Sequence, residues 1–201
     1  MKKSPRVKAF DAAYYDRYYE SSDTRVQGAS EVKNLGQFVV SFARWSGAEI
    51  QSVLDIGAGA GLLRDWFKKE HRKVAYRSTE VSAYACKKYG HERRDISTWK
   101  AKAKFDLIVC QGVLPYLDNA ACKKAIANIG AMSQGFFYLE AITTRDAKEI
   151  CDTDKTDTAV HMRSDAFYRK ALAPHFVQLG CGLFYSRKGP HLFYDLEKAS
   201  R

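Results

Sequence analysis

The sequence predicts an α/β fold of three layers, in which helices cover both faces of a mostly parallel sheet. Short apolar runs alternate along the chain with segments whose apolar residues recur every three or four positions. This alternation predicts repeated strand–helix units, whose right-handed crossovers place helices on both faces of the sheet. A Gly-Pro pair near the C terminus adds an antiparallel hairpin at the end of the sheet.

The first predicted elements lie between residues 32 and 69. Apolar residues spaced three or four apart from Val32 predict a helix that ends near Gly47. The run 52–56 has the length and apolar character of a buried parallel strand. Helical spacing resumes at Leu62, beyond a group of glycines, and continues to the basic end at Lys69.

The alternation continues through the rest of the chain. It predicts strands at 74–79, 105–110 and 136–139 and helices at 82–89, 119–132 and 164–172. Two further strands, 176–185 and 191–196, are predicted to form the antiparallel hairpin, because Gly189-Pro190 between them is a turn signal.

Length and composition predict a single domain over residues 1–201. Of the residues, 46% are hydrophobic and 28% charged, as in globular rather than disordered proteins. We interpret residues 1–47 as an N-terminal helical cap and the polar segment 143–163 as a lid or substrate loop. No apolar run approaches the roughly 20 residues that cross a bilayer, so we expect a cytoplasmic protein without a membrane partner.

The net charge and the cysteine content indicate which partners and which kinds of site the chain can have. Lysine and arginine number 33 and aspartate and glutamate 23, which gives a net charge of +10 that favours anionic partners such as RNA. The basic residues are scattered in short groups, so we interpret them as a solvated surface, with a nucleic-acid-binding face as the alternative. The 5 cysteines lie far apart without a C-x-x-C pair, which disfavours a disulfide framework or a zinc site. We expect no metal.

The most informative motif is VLDIGAGAGLL at 53–63, where a strand enters a glycine loop that opens a helix. Glycines let the backbone approach a ligand and leave amides at the helix N terminus available to it. The third glycine comes one residue too early for G-x-G-x-x-G, which disfavours NAD or FAD. Asp55 before the loop would repel a pyrophosphate but could bind an ammonium group. A tight turn without a ligand is the alternative.

This motif resembles the first motif of the class I S-adenosylmethionine (SAM)-dependent methyltransferases, an acidic residue followed by G-x-G-x-G. The resemblance extends from about Val53 to Leu117 and, less specifically, to the C-terminal hairpin. It implies a Rossmann-like methyltransferase fold with a mostly parallel seven-stranded sheet, SAM as cofactor and S-adenosylhomocysteine (SAH) as product. In the family this loop faces the methionine portion of the cofactor, which assigns to it Asp55, Gly57, Ala58, Gly59 and Gly61.

Two further positions match the family's adenosine contacts. Glu80 follows Gly61 by 19 residues, at the end of a predicted strand, where the family's carboxylate accepts both ribose hydroxyls; Val81 lies beside it. Asp95 and Ile96 match the pair that brackets adenine, in which the carboxylate accepts from the exocyclic amine and the apolar side chain covers the ring. A helix-capping glutamate and a turn-capping aspartate are the alternatives.

The run 105–117 resembles the family's fourth strand and its exit. Open α/β sheets bind ligands at the carboxyl ends of central strands, so we expect Gln111 and Gly112 near the sulfonium. Tyr116 is a candidate catalytic residue. The run lacks the Asn/Asp-Pro-Pro-aromatic motif of adenine-N6 and glutamine-N5 methylation, and Cys110 lacks the Pro-Cys setting of cytosine-C5 enzymes.

Two variable segments contain the remaining candidates. The run Phe10–Tyr19 is rich in tyrosine, and we expect Tyr14 and Tyr18 to cover the cofactor and Tyr15 to contact the substrate, with packing on the sheet as the alternative. At the end of the predicted lid, His161 could remove a proton and Arg163 could hold a carboxylate or phosphate. A surface or packing role is the alternative for His161.

These features together predict a SAM-dependent methyltransferase. The methyl group would pass by SN2 transfer to an O or N atom of a small-molecule acceptor, a reaction that needs orientation but no catalytic triad. RNA as the acceptor is one alternative, because of the net charge of +10. A non-catalytic methyltransferase-like binding subunit is the other.

Overall fold

The computed structural model describes residues 10–21, 23–25, 27–152 and 155–199, which contain a seven-stranded sheet. The strands are β1 (Ser52–Ile56), β2 (Ala75–Glu80), β3 (Glu92–Arg93), β4 (Phe105–Gln111), β5 (Ser133–Glu140), β6 (Phe176–Gly180) and β7 (Leu183–Ser186). Their order is β3-β2-β1-β4-β5-β7-β6, and only β7 runs antiparallel to its neighbours. The predicted mostly parallel seven-stranded sheet is confirmed.

Helices lie on both faces of this sheet. They are α1 (Ala12–Tyr15), α2 (Ala29–Trp45), α3 (Leu62–Glu70), α4 (Ala83–Tyr89), α5 (Asn119–Met132), α6 (Asp146–Glu149) and α7 (Asp165–Leu172). A π-helical turn, Asp16–Glu20, continues α1. None of the helices within the described ranges combines the length and the apolar character that crossing a bilayer requires.

The central strands β1 and β4 form the core because most of their residues are apolar. Val53, Leu54 and Ile108 are completely buried, as expected for strands covered on both faces. Helices α2 and α3 cover one face, and α5 and α7 cover the other. Gly36 of α2 lets α3 approach closely, since a Cβ at this position would lie 2.5 Å from the ring of Trp66.

The C-terminal hairpin turns earlier than the sequence predicts. The structure pairs β6 with β7 around Cys181 and Gly182, whereas the prediction placed the turn at Gly189-Pro190 between strands 176–185 and 191–196. Residues 191–194 form no strand, and a 3₁₀ turn follows at 195–197. The predicted second strand is therefore wrong.

Backbone conformation explains the position of this turn. Gly180, Cys181 and Gly182 have φ angles of 117°, 48° and 77°, the left-handed region that a tight turn requires. Gly189 instead closes a turn after β7, where its N–H donates to the carbonyl oxygen of Ser186 at 2.9 Å. The two glycines that flank Cys181 thus provide a stronger turn signal than the Gly-Pro pair.

Replacing Cys181 with glycine should stabilise the protein. Cys181 is the non-glycine residue with positive φ among those described, and a side chain in this region costs about 1–2 kcal/mol. The added freedom of glycine in the unfolded chain offsets part of this gain. We expect Cys181→Gly to raise the free energy of unfolding by about 0.5–1 kcal/mol in urea denaturation. Cys181→Ser, which keeps a Cβ, should show no gain; equal effects of both variants would contradict the turn geometry.

Candidate functional site

Two cavities open side by side at the carboxyl ends of β1, β2 and β4. The glycine-loop cavity, of about 210 Å³, is lined by Asp55, Gly57, Ala58 and Gly59 among others. The Glu80 cavity, of about 160 Å³, is lined by residues that include Glu80, Val81, Asp95 and Ile96. Residues that line both cavities are Tyr14, Tyr19, Gly57, Gln111, Gly112 and Tyr116. The two cavities therefore form one groove, divided by aromatic side chains.

The glycine loop is fixed to the end of the neighbouring strand. Gly57, Gly59 and Gly61 have φ angles of 70°, 56° and 79°, which side-chain-bearing residues rarely adopt. The N–H groups of Gly57 and Ala58 both donate to the carbonyl oxygen of Thr79, at 2.9 and 3.1 Å. Gly61 lines neither cavity; it lies at the N-cap of α3 and shapes the loop indirectly.

Asp55 is a buried carboxylate at the wall of the glycine-loop cavity. It is 5% exposed, and its Oδ2 accepts a hydrogen bond of 2.7 Å from the hydroxyl of Tyr76. Its pKa is raised to about 7, chiefly by burial and in smaller part by the charge of Glu80, although the Tyr76 hydrogen bond and Arg64 lower it. A cation entering this cavity would favour the ionised form.

Glu80 holds the loop and still faces the second cavity. Its Oε2 accepts from the N–H of Gly59 at 3.2 Å, and its Oε1 accepts from Val81 and Ser82 at 2.7 and 3.1 Å. A carboxylate has about four acceptor positions, so three backbone donors leave capacity for a ligand hydroxyl. The capping role weighed as an alternative and a ligand-binding role are thus compatible.

Asp95 likewise both caps a turn and lines a cavity. Its Oδ1 accepts from the N–H and the hydroxyl of Ser97, at 2.8 and 2.7 Å, which is the turn-capping arrangement. The residue nevertheless lines the Glu80 cavity beside the buried side chain of Ile96. The structure brings both predicted adenine contacts to this cavity.

The N-terminal tyrosines form the aromatic wall of the groove. Tyr18 lines the glycine-loop cavity, Tyr15 lines the Glu80 cavity and Tyr14 lines both. Tyr15 is only 2% exposed and stacks on Tyr19, with ring centroids 4.9 Å apart. Burial raises the pKa of Tyr15 well above its ordinary value.

Tyr19 is a site residue that the sequence analysis missed. Its ring lies so close to Gly59 that a Cβ at position 59 would be 2.5 Å away, so the glycine makes room for an aromatic ring. Its spacing from Tyr15 could have identified it, because residues four apart share one face of a helix.

Tyr116 links three separate parts of the chain. Its hydroxyl lies 2.8 Å from that of Tyr14 and donates to Oδ2 of Asp157 at 2.8 Å. Burial raises the pKa of Tyr116, so this phenol is protonated at neutral pH. The hydroxyl therefore reaches a carboxylate of segment 143–163, a partner that sequence analysis did not identify.

Segment 143–163 forms part of the groove wall. A bridge between Thr143 and Arg163 brings its two ends together. The residues of this segment that line the glycine-loop cavity are Thr156, Asp157, Val160 and Lys155. This position is compatible with the predicted role as a lid or substrate loop.

His161 and Arg163 lie outside the lining of both cavities. The N–H of His161 donates to the carbonyl oxygen of Pro115 at 2.8 Å, which ties the segment to the exit of β4. Arg163 is 5% exposed, and its guanidinium group donates to Asn119 Oδ1 and to the carbonyl oxygens of Leu114, Leu117 and His161. The geometry therefore does not support the predicted proton-removing and anion-holding roles, because these contacts fix the fold of the segment.

Glu140 is a second missed residue of the site. It ends β5 opposite Gln111 in the β4–β5 register and lines the glycine-loop cavity. The side-chain amides of Gln27 and Gln111 both donate to its Oε2, at 3.0 and 3.3 Å. Its position was predictable, since the carboxyl end of a parallel strand lies at the same edge as Asp55.

No protein-family model and no curated protein matches the sequence. Solved structures do match the fold. The N-methyltransferase NodS from Bradyrhizobium japonicum WM9, in complex with SAH, is 16% identical, with a TM-score of 0.60 over 87% of this chain and 97% of that one. SAM-bound CalS10, an amino pentose methyltransferase from Micromonospora echinaspora, is 16% identical, with a TM-score of 0.60 over 93% and 100%.

A third similar structure is DesVI from Streptomyces venezuelae, which is 15% identical, with a TM-score of 0.59 over 78% of this chain and 91% of that one. At these identities the similarity establishes the fold. The chain has the Rossmann-like fold of the class I SAM-dependent methyltransferases, as its motifs predicted.

The raised pKa of Asp55 predicts a pH-dependent effect of its replacement. Because its folded-state pKa lies above the unfolded value, its contribution to stability is present in acid and is lost as the pH rises through about 7. An asparagine side chain at this position would keep an oxygen for the Tyr76 hydroxyl without a charge. We expect Asp55→Asn to raise the free energy of unfolding at pH 8 by about 2–4 kcal/mol more than at pH 4.5, measured in urea.

The matched control is Glu70→Gln, which removes a charge from the exposed end of α3. Its effect on stability should be small at both pH values. A pH-independent effect of Asp55→Asn would show that the carboxylate is ionised throughout.

Proposed function

We propose that this chain is a SAM-dependent methyltransferase that acts on an O or N atom of a small molecule. The observation that carries the proposal is the divided groove, in which Asp55 and the glycine loop line one half and Glu80, Asp95 and Ile96 line the other. This arrangement fits a cofactor with a methionine portion at one end and an adenosine at the other. NodS and CalS10, which share the fold, are described in complex with SAH and SAM.

The residues of the groove fit this cofactor chemically. The glycine loop offers a backbone surface free of Cβ atoms, and Asp55, with its pKa near 7, suits an ammonium group. Glu80 retains acceptor capacity for ribose hydroxyls, and Ile96 provides an apolar surface for adenine. Gln111 and Gly112, which line both halves, lie where the two portions of the cofactor would join.

Bound SAM would supply an electrophilic methyl group on a sulfonium. The protein would contribute orientation of the acceptor and exclusion of water by the wall of Tyr14, Tyr18 and Tyr19. When the acceptor nucleophile transfers a proton to the Tyr116 oxygen, the proton of that phenol would pass to Oδ2 of Asp157. Tyr116 is thus the candidate catalytic residue that the geometry favours over His161.

The charge of the groove favours a small molecule over RNA. Although the chain carries +10, the charged side chains that line the glycine-loop cavity, within the described part of the chain, are three carboxylates and one lysine. Such a cavity repels phosphate groups. A cavity of about 210 Å³ also suits a compact acceptor.

Titration of the purified protein with SAM and with SAH tests the proposal, with NAD as the control ligand. We expect micromolar binding of both adenosyl ligands in isothermal titration calorimetry and no binding of NAD. Folded protein that binds neither SAM nor SAH, or that binds NAD equally well, would contradict the proposed function.

Three variants test the site assignment. Asp55→Ala and Glu80→Ala remove carboxylates proposed to contact the ligand, and each should weaken SAH binding by about tenfold or more. Tyr116→Phe keeps the ring but loses the hydroxyl proposed to act on the acceptor, so its affinity for SAH should stay within about twofold. Unchanged affinity in both carboxylate variants would refute the assignment.

A further inference from the structure

More carboxylates line the glycine-loop cavity than the proposed contacts with the cofactor require. Its charged lining residues, among those described, are Asp55, Glu140, Asp157 and Lys155. Asp55 is assigned to the ammonium group of the cofactor. Lys155 is itself exposed. Glu140 and Asp157 therefore remain without a role in binding the cofactor.

The strand order separates Glu140 from the cofactor-binding carboxylate. Asp55 is on β1 and Glu140 ends β5, with β4 between these strands. Two strand spacings place the backbones of these residues roughly 10 Å apart. Glu140 also lies level with Gln111, two residues beyond Val109, which pairs with Asp55. Glu140 thus belongs to a distinct part of the cavity, on the side of β4 away from β1.

The carboxylate of Glu140 is oriented by neutral donors. The amides of Gln27 and Gln111 hold its Oε2, and no described residue donates to its Oε1. Carboxamides fix the direction of a carboxylate but do not neutralise it. A half-buried charge of this kind gains most from a cationic partner.

Asp157 brings a second carboxylate to the same cavity from segment 143–163. Its Oδ2 accepts from Tyr116 and its Oδ1 accepts from the N–H of Ala159 at 3.0 Å. The rings of Tyr14 and Tyr18 complete the cavity, and aromatic faces attract cations. Carboxylates and aromatic rings together are typical of sites that bind ammonium groups.

We propose that the acceptor is an amine that is protonated at neutral pH, with its ammonium group bound by Glu140 and Asp157. This inference rests on the proposed function and specifies its substrate class. A neutral alcohol would bring no positive charge to these carboxylates, and an anionic acceptor would be repelled by them. Before the nitrogen can attack, one N–H bond of the ammonium breaks and its proton forms an O–H bond with Asp157, directly or through Tyr116.

Ligand-observed NMR with three matched probes tests the proposal. Cyclohexylamine, cyclohexanol and cyclohexanecarboxylate share one ring and differ in charge. In the presence of saturating SAH at pH 7, we expect the amine to bind at least tenfold more tightly than either of the others. Equal binding of the alcohol, tighter binding of the carboxylate, or no detectable binding of the amine would overturn the inference.

Charge-removing variants then locate the site. Glu140→Gln and Asp157→Asn should each weaken binding of cyclohexylamine by about tenfold, while affinity for SAH stays within about twofold and shows that the variants are folded. Glu70→Gln, which removes an exposed charge on α3, should change neither affinity. Unchanged amine binding in both cavity variants would refute the assignment.

The two proposals fail in different ways. If the wild-type protein does not bind SAH, the proposed cofactor is wrong. If SAH binds but the amine has no advantage over the alcohol and the carboxylate, only the substrate class is wrong.

Discussion

The parallel pairing of β1 with both β2 and β4 is the constraint on which the groove depends. Ile56 is in register with Thr79 on one side and Cys110 on the other, so the next residues, Gly57, Glu80 and Gln111, emerge at one edge of the sheet. Backbone hydrogen bonds between buried strands enforce this alignment. The strand register alone therefore brings the residues that line the groove together.

The same polar groups serve the fold and the site. Glu80 accepts from three backbone N–H groups, those of Gly59 and Ser82 being buried, and it thereby holds the glycine loop against β2. Among the described residues, Tyr76 is the one hydrogen-bond donor to the Asp55 carboxylate, and the cost of burying this group appears as its raised pKa. Glu80 therefore mainly stabilises the fold. A cation bound beside Asp55 would offset part of the cost of burying its charge.

Local signals made the sheet predictable, and with it the positions of the residues proposed to contact the cofactor. The strand–glycine–helix run located Asp55, the penultimate residue of β1, and the end of the next predicted strand located Glu80. Tyr19 and Glu140 were missed although spacing and strand position marked them, since neither belongs to a sequence motif. His161 and Arg163 have reactive groups, but contacts with Pro115 and the exit of β4 decide where they lie, and such long-range contacts leave no local pattern.

The chain of hydroxyl groups at Tyr116 has a consequence for biosynthesis. It joins Tyr14, near the start of the chain, to Asp157, which is synthesised much later. The core strands β1, β2 and β4 can pair as soon as about residue 111 has left the ribosome, whereas the groove waits for segment 143–163. The nascent chain can therefore pair its central strands before the groove has all of its walls, and α7, which covers part of one face of the sheet, is synthesised later still.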